Sequence, residues 1–151
     1  MDPEAFDRMV LEAIAAEIAA RDFYLWAARQ IKDPGVAEIF QRLSGEENEH
    51  RATLETLRFN PLARVEFARA ADYGVAEQEA DVPFSADMSP KEALQLAMKK
   101  EEHAAANYRA FAGACQDPEV RRTYLELAEM ERGHKARLEE LFVNVAYPES
   151  W

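Results

Sequence analysis

The chain has 151 residues, and its 18 basic and 29 acidic side chains give it a formal net charge of −11. Nucleic-acid phosphates and anionic membrane surfaces both require a basic face, so we expect neither as a partner. The length fits one domain, 1–151. Five glycines and 48% hydrophobic residues favour a helical fold with a packed core. The single cysteine, Cys115, excludes an internal disulfide and a metal site built only from cysteines.

The sequence also shows no recognisable targeting signal. Its first residues contain neither the basic nor the apolar segment of a secretory signal, and no run of about 18 apolar residues occurs. We therefore expect a cytoplasmic protein that does not cross a membrane.

Four segments with helical periodicity each begin with a capping residue followed by proline, at Asp2, Asp33, Ser89 and Asp117. The cap side chain accepts a free N–H group of the first turn, and proline has no N–H to leave unsatisfied there. Glu92, three residues after Ser89, completes a capping box. The pattern predicts four helices, α1 at about 3–32, α2 at about 34–58, α3 at about 90–115 and α4 at about 118–145.

The connections between these helices predict the topology. The links α1–α2 and α3–α4 are very short, which is typical of antiparallel helical hairpins. The segment at about 59–88 is long but too short to form its own core, so we expect a crossover, with room for a short helix near Leu62–Tyr73. The predicted fold is all-α, a four-helix bundle made of two antiparallel helical hairpins joined by a long crossover.

The two hairpins are related by an internal repeat. A shift of 84 residues aligns them without a gap, and 15 of the 48 positions from 10 to 57 are identical. Repeated hairpins predict a pseudo-twofold axis through the bundle.

Each predicted helix has an apolar stripe that contains ionisable residues where leucine is expected. On α1 and α3 the stripe contains one glutamate, and on α2 and α4 it contains a Glu-x-x-His pair, whose side chains lie one turn apart on the same face. These residues are Glu17, Glu47, His50, Glu101, Glu131 and His134. All six lie near the middle of their helices and recur in register with the repeat.

Four buried carboxylates without counter-charge would be costly or would be forced to protonate. The stripes contain no Lys or Arg, so bound metal is the simplest resolution: four carboxylates balance two divalent ions, with both imidazoles neutral. The alternative, surface ion-pair residues, would apply to one isolated Glu-x-x-His but does not explain two in register. One Glu from each of two helices and Glu-x-x-His from the other two is the ligand set of ferritin-like di-iron and di-manganese bundles. We expect Glu47 and Glu131 to bridge the metals, and Glu17 and Glu101 to be terminal ligands.

Other residues on or near the stripes have two interpretations. Tyr24 and Tyr108 lie two turns beyond the first glutamate of their stripes and could support the metal ligands or be ordinary core residues. His103 points away from its stripe and is expected in solvent. Cys115 is expected to be a small core residue, with a reactive thiol as the alternative. The remaining acids, Glu102, Glu139 and Glu140, are expected on solvated faces.

At the six ligand positions and the helices that contain them, the chain resembles the ferritin-like superfamily, and within it the rubrerythrin and erythrin branch. The resemblance covers the four helices, roughly three quarters of the chain. It implies a non-haem di-iron carboxylate oxidoreductase with two iron ions per chain (Fe²⁺/Fe³⁺), for which Mn or Zn could substitute. The implied reaction is with hydrogen peroxide or O₂, in the manner of a rubrerythrin-like peroxidase of oxidative-stress defence.

The chain departs from that branch at two points. Rubrerythrins carry an additional glutamate three residues past the first ligand of α3, where this chain has Ala104. They also carry a rubredoxin domain, which one cysteine cannot form. An external electron donor, rubredoxin-like or another reductant, is therefore implied. A homodimer is the expected assembly, and the long crossover would allow protomers to exchange hairpins.

Two other functions remain open. The first is a ferroxidase, or an iron-binding or iron-storage protein, which would take up well over two irons per chain. The second is a metal-stabilised helical interaction module without turnover, which would bind a redox-inert metal as well as iron. Nitrogen and oxygen donors do not select iron by affinity alone, so the ligand set does not choose between these functions.

Overall fold

The computed structural model describes residues 2–60 and 65–147. Within those ranges it contains α1 (Pro3–Gln30), α2 (Pro34–Phe59), α3 (Pro90–Ala114) and α4 (Pro118–Ala146), with one 3₁₀ turn, Ala76–Gln78, and no strand. All four predicted helix starts are confirmed, and the ends differ from prediction by one or two residues. None of the helices in these ranges combines the length and apolarity that crossing a bilayer requires.

The helices begin where their caps can satisfy the first N–H groups. The Asp2, Asp33 and Asp117 carboxylates each accept two backbone N–H groups of the following turn. The Ser89 hydroxyl accepts the N–H of Glu92 at 3.2 Å, and the Glu92 carboxylate accepts the N–H of Ser89 at 3.3 Å. The predicted capping box is therefore present, and local sequence explains each helix start.

The chain divides into two compact units, one up to Val65 and the other from Glu66 onwards. The first contains α1 and α2, and the second contains α3, α4 and the part of the crossover from residue 66. Each unit thus holds one predicted hairpin. That the whole chain folds as one domain stays a prediction.

In the first unit α1 and α2 are antiparallel. Arg58 Nε donates to Asp7 Oδ1 at 2.9 Å near one end, and the Ser44 hydroxyl donates to the backbone oxygen of Arg21 at 3.0 Å nearer the other. As the residue numbers of the contacting residues rise along α1, those of their partners on α2 fall, which defines an antiparallel pair. The largest fully buried apolar side chains of this hairpin are those of Val10, Tyr24, Val36, Phe40 and Leu54.

The second hairpin repeats the arrangement. His134 faces Glu101, and Tyr124 packs against Tyr108 with ring centroids 6.3 Å apart, so α3 and α4 are also antiparallel. The deepest apolar side chains are those of Leu94, Met98, Leu127 and Phe142.

The predicted stripes are buried along most of their length. The exceptions are three half-buried mid-helix residues, Ala20, His50 and Ala104, and two residues at helix ends. Leu141 is exposed, and Phe142 takes its place in the core. The repeat-equivalent Leu57, three heptads after Val36, is buried, so the drift of a 3.5-residue stripe on a 3.6-residue helix does not explain the exposure of Leu141. Cys115, the C-cap of α3, is half-buried, so its prediction as a core residue is wrong.

The crossover is extended rather than helical in its first described part. Residues 65–73 contain no helix, so the predicted short helix is wrong there, and residues 62–64 of that prediction lie outside the described residues. The segment follows the second hairpin: Arg69 forms a bidentate contact with Glu126 on α4, and Phe67 N–H donates to the same carboxylate at 3.0 Å.

Candidate metal centre

The first hairpin brings two buried carboxylates and an imidazole together. Glu17 comes from the middle of α1, and Glu47 and His50 lie one turn apart on α2. His50 Nδ1 is 3.5 Å from Glu17 Oε2 and 3.7 Å from Glu47 Oε2. One ligand atom of each residue lies within 4.8 Å of those of the other two. We call Glu17, Glu47 and His50 the first triad.

The second hairpin contains the equivalent group. Glu101 comes from α3, and Glu131 and His134 lie one turn apart on α4. His134 Nδ1 is 3.5 Å from Glu101 Oε1, and one ligand atom of each of the three residues lies within 4.8 Å of the others. We call Glu101, Glu131 and His134 the second triad. In each unit the three residues predicted as ligands therefore lie close together.

The donor chemistry of both triads fits a transition metal. Two carboxylates and one imidazole are the oxygen and nitrogen donors that Fe, Mn and Zn accept. All four glutamates are at most 3% exposed, although a carboxylate held away from water needs compensating charge. A cation held by each triad would provide that charge. These carboxylate and histidine clusters could therefore bind metal.

The two tyrosines predicted near the ligands are both buried. Tyr24 packs against Phe40 with ring centroids 5.6 Å apart, and Tyr108 packs against Tyr124. Each tyrosine lies two helical turns beyond the glutamate of its stripe, which is about 10 Å along the helix axis at 1.5 Å per residue. Both therefore take part in aromatic packing, and a supporting role toward the ligands stays a prediction.

The predictions for the other ionisable residues had mixed outcomes. His103 is exposed as expected, with its Nε2 2.9 Å from Asp81 Oδ1. Glu140 is exposed and accepts the Tyr73 hydroxyl. Glu139 was expected in solvent, and this is wrong: it is 1% exposed. The crossover covers it, which the helix periodicity could not indicate.

Sequence analysis also missed a buried lysine next to the second triad. Lys135 follows His134 directly, and its ammonium lies 2.8 Å from Glu77 and 3.0 Å from Asp72 of the crossover. Burial alone lowers the pKa of Lys135, but its hydrogen bonds to Glu77 and Asp72 outweigh that effect and leave the pKa above its usual value. Lys135 is therefore charged. The i, i+4 spacing of Lys135 and Glu139 was the available signal, but that spacing is equally typical of a surface ion pair.

Comparison with protein families decides the relationship of the chain. A family model described as a ferritin-like domain matches residues 7–144. The chain belongs to the ferritin-like domain family. This membership and the four helices confirm the predicted all-α, ferritin-like fold class.

Comparison with solved structures gives one further relationship. The ferritin-like chain is similar to a hypothetical protein from Pyrococcus furiosus, at 27% sequence identity and a TM-score of 0.55. The similarity covers 97% of this chain and 93% of that one. The comparison with curated proteins finds no match.

Proposed function

We propose that the two triads form one dinuclear site that holds two iron ions, and that the protein is a non-haem di-iron oxidoreductase that reacts with hydrogen peroxide or O₂. The observation that carries the proposal is the presence of two buried Glu-Glu-His triads in register with the internal repeat. Family membership supports it, because this ligand set is characteristic of ferritin-like di-metal proteins.

The ligand set favours a dinuclear site over two independent ones, because one Glu from each of two helices with Glu-x-x-His from the other two is the set of ferritin-like di-metal bundles. The two triads carry four carboxylates, and two divalent ions neutralise them when both imidazoles are neutral. We propose that Glu47 and Glu131 bridge the metals, while Glu17 and Glu101 bind one metal each as terminal ligands. A bridging carboxylate uses both of its oxygens, which brings more of the buried negative charge into contact with cations.

Two Fe(II) ions bound in this site would supply one electron each, and the reduction of H₂O₂ to two waters requires two electrons and two protons. The stripe residues around each triad are apolar and would restrict the entry of water. The external donor, a rubredoxin-like protein or another one-electron reductant, would return the two electrons. We propose Tyr24 and Tyr108 as supporting residues whose phenols lie on the same stripes as the terminal ligands.

The rubrerythrin-like peroxidase activity is the finer part of the proposal. The resemblance at the six ligand positions supports it, and Ala104 is the point of departure, because the additional glutamate of that branch is absent. With three donors from each triad, the proposed site is symmetric in its ligands. Peroxidase activity therefore requires that this six-ligand set be sufficient for the reaction with peroxide.

The test is an anaerobic Fe(II) titration followed by stopped-flow mixing with stoichiometric H₂O₂ and, separately, with O₂. We expect two irons per chain, oxidised faster by peroxide than by O₂. Glu47→Gln and Glu131→Gln should abolish the fast reaction, whereas Glu49→Gln, an exposed position on the same helix, should retain it.

Each alternative outcome is informative. Fast oxidation by O₂ with uptake well beyond two irons per chain would indicate a ferroxidase or iron-storage protein. Metal binding without any reaction would indicate a metal-stabilised interaction module. Peroxide consumption that persists in both Glu→Gln variants would contradict the proposal.

A further inference from the structure

A buried lysine attaches the crossover to α4 one residue beyond His134. Its ammonium lies 2.8 Å from Glu77 and 3.0 Å from Asp72, both on the crossover, and 3.3 Å from Glu139 Oε2, one turn further along α4. Lys135 therefore joins three carboxylates from two segments of the chain. Hydrogen bonds between charged partners are about twice as strong as those between neutral ones, so this contact resists opening.

Glu139 holds the crossover through its backbone. One carboxylate oxygen accepts the N–H of Val75 at 2.6 Å and that of Ala76 at 2.8 Å. Lys99 on α3 donates to the carbonyl oxygen of Ala76 at 3.1 Å. Side chains from both helices of the second hairpin therefore form hydrogen bonds with the same short segment of the crossover. We call Lys135, Glu139 and the crossover groups that they bind the clasp.

The first hairpin has a repeat-equivalent ion pair that is more exposed. The positions equivalent to Lys135 and Glu139 are Arg51 and Glu55, which also form an i, i+4 ion pair. The side chains of the Lys135 pair are 5% and 1% exposed, whereas those of the Arg51 pair are 22% and 44% exposed. Among the described residues, the crossover thus covers this pair in the second hairpin, whereas the equivalent pair of the first hairpin is partly exposed to water.

We propose that Lys135 is a positioning residue that makes the two halves of the metal site unequal. Through the clasp it restrains the turn of α4 that carries the second triad, so metal held by Glu101, Glu131 and His134 exchanges more slowly than metal held by the first triad. The proposal rests on the proposed function, because it requires both triads to hold metal.

The physical basis is the opening that metal release requires. A ligand can leave a buried ion only if its helix turn moves and water enters. On α4, that movement must also break the contacts of Lys135 and Glu139 with the crossover. On α2, the equivalent movement breaks a more exposed ion pair within one helix, which contributes less. His50 is accordingly more exposed than His134, with side-chain exposures of 14% and 4%.

The test uses the full chain loaded with Co(II), whose visible absorbance reports the ligands directly. Excess EDTA is added, and the loss of absorbance is followed in time. We expect a fast and a slow phase of similar amplitude. His50→Gln should remove the fast phase and His134→Gln the slow one, which assigns each phase to a triad.

Lys135→Met should accelerate the slow phase by about tenfold or more, the order expected for the loss of a charge-assisted hydrogen bond. Arg51→Met is the matched control at the repeat-equivalent position and should leave both phases unchanged. Because Lys135→Met takes the Lys135 ammonium away from the buried Glu139 carboxylate, the variant could fail to fold. The double variant Asp72→Asn with Glu77→Gln opens the clasp from the half-exposed crossover side and should have the same effect.

Which of the two phases accelerates distinguishes a positioning role of Lys135 from a general effect on stability. A variant that merely destabilises the fold would accelerate both phases, whereas loss of the clasp should accelerate only the slow one. A single phase, a slow phase that depends on His50, or clasp variants that do not accelerate the slow phase would overturn the proposal. Binding of less than one cobalt per chain would contradict the proposed function itself, and this inference would fall with it.

Discussion

Removal of one bridging carboxylate should change stability in opposite directions with and without metal. Glu47 is 1% exposed and belongs to a triad in which two carboxylates lie close together. In the metal-free protein, Glu47→Gln keeps the shape of the side chain and removes a buried negative charge. Two like charges in one buried site disfavour each other, so replacing one of the two carboxylates by a neutral amide removes a destabilising interaction. We therefore expect the metal-free variant to be more stable than the metal-free parent.

The metal-loaded protein should respond the other way. A ligand at 100 times its Kd stabilises the folded state by about 2.7 kcal/mol per site, so two sites contribute about 5 kcal/mol. For a chain of this size, 1 kcal/mol corresponds to roughly 2–4 °C in Tm, which predicts a rise of about 10–20 °C on metal loading. Loss of a bridging ligand weakens both sites, so the variant should show less than about half of that rise.

The assay is thermal unfolding followed by circular dichroism, with chelator and with anaerobic Fe(II), for the parent, Glu47→Gln and Glu49→Gln. Glu49 lies on the same helix but is exposed, so its variant should match the parent in both conditions. A Glu47→Gln protein that is less stable without metal and keeps the full rise with metal would refute the reasoning. In that case the buried carboxylates would be held by the fold itself and not by a cation.

Three further predictions concern the crossover and a cap. Gly74 has φ of +65°, so Gly74→Ala should destabilise the protein by about 1–2 kcal/mol in urea unfolding, and no loss would contradict the strain argument. Burial alone raises the pKa of Glu126, but Arg69 and the Phe67 N–H outweigh it and leave the pKa below its usual value. The stabilising contribution of Glu126 is therefore complete above the usual carboxyl pKa and is lost as the pH falls through the lowered pKa of the folded state. Glu126→Gln should remove this part of the pH dependence of the unfolding free energy, and an unchanged pH profile would contradict the prediction. Ser89→Ala should cost about 1 kcal/mol by calorimetry, since α3 loses its capping box.

The features that could be predicted from the sequence are those that depend on neighbouring residues. The Asp-Pro and Ser-Pro pairs located all four helix starts, because a cap acts on N–H groups only two or three positions away. The two Glu-x-x-His pairs could be predicted to share a face, because helix geometry determines which residues lie one turn apart. Their partners Glu17 and Glu101 followed from the periodicity of the stripes.

The features that could not be predicted depend on which distant segment covers a helix. Glu139 and its repeat equivalent Glu55 have the same local pattern, yet Glu139 is buried and Glu55 is half-exposed, because described residues of the crossover cover Glu139. The extended conformation of residues 65–73 could not be predicted for the same reason. It depends on contacts with α4, such as that of Arg69 with Glu126, which local periodicity does not indicate. Leu141 and its repeat equivalent Leu57 likewise share a local pattern, yet Leu141 is exposed and Leu57 is buried.

The central claim is that both triads hold metal in one site. The most direct test is an anomalous difference map collected at the iron absorption edge from crystals grown anaerobically with Fe(II). The account predicts two peaks per chain, each in contact with one histidine, His50 or His134, and both in contact with Glu47 and Glu131. The absence of peaks at the triads, or two peaks that share no carboxylate, would contradict it.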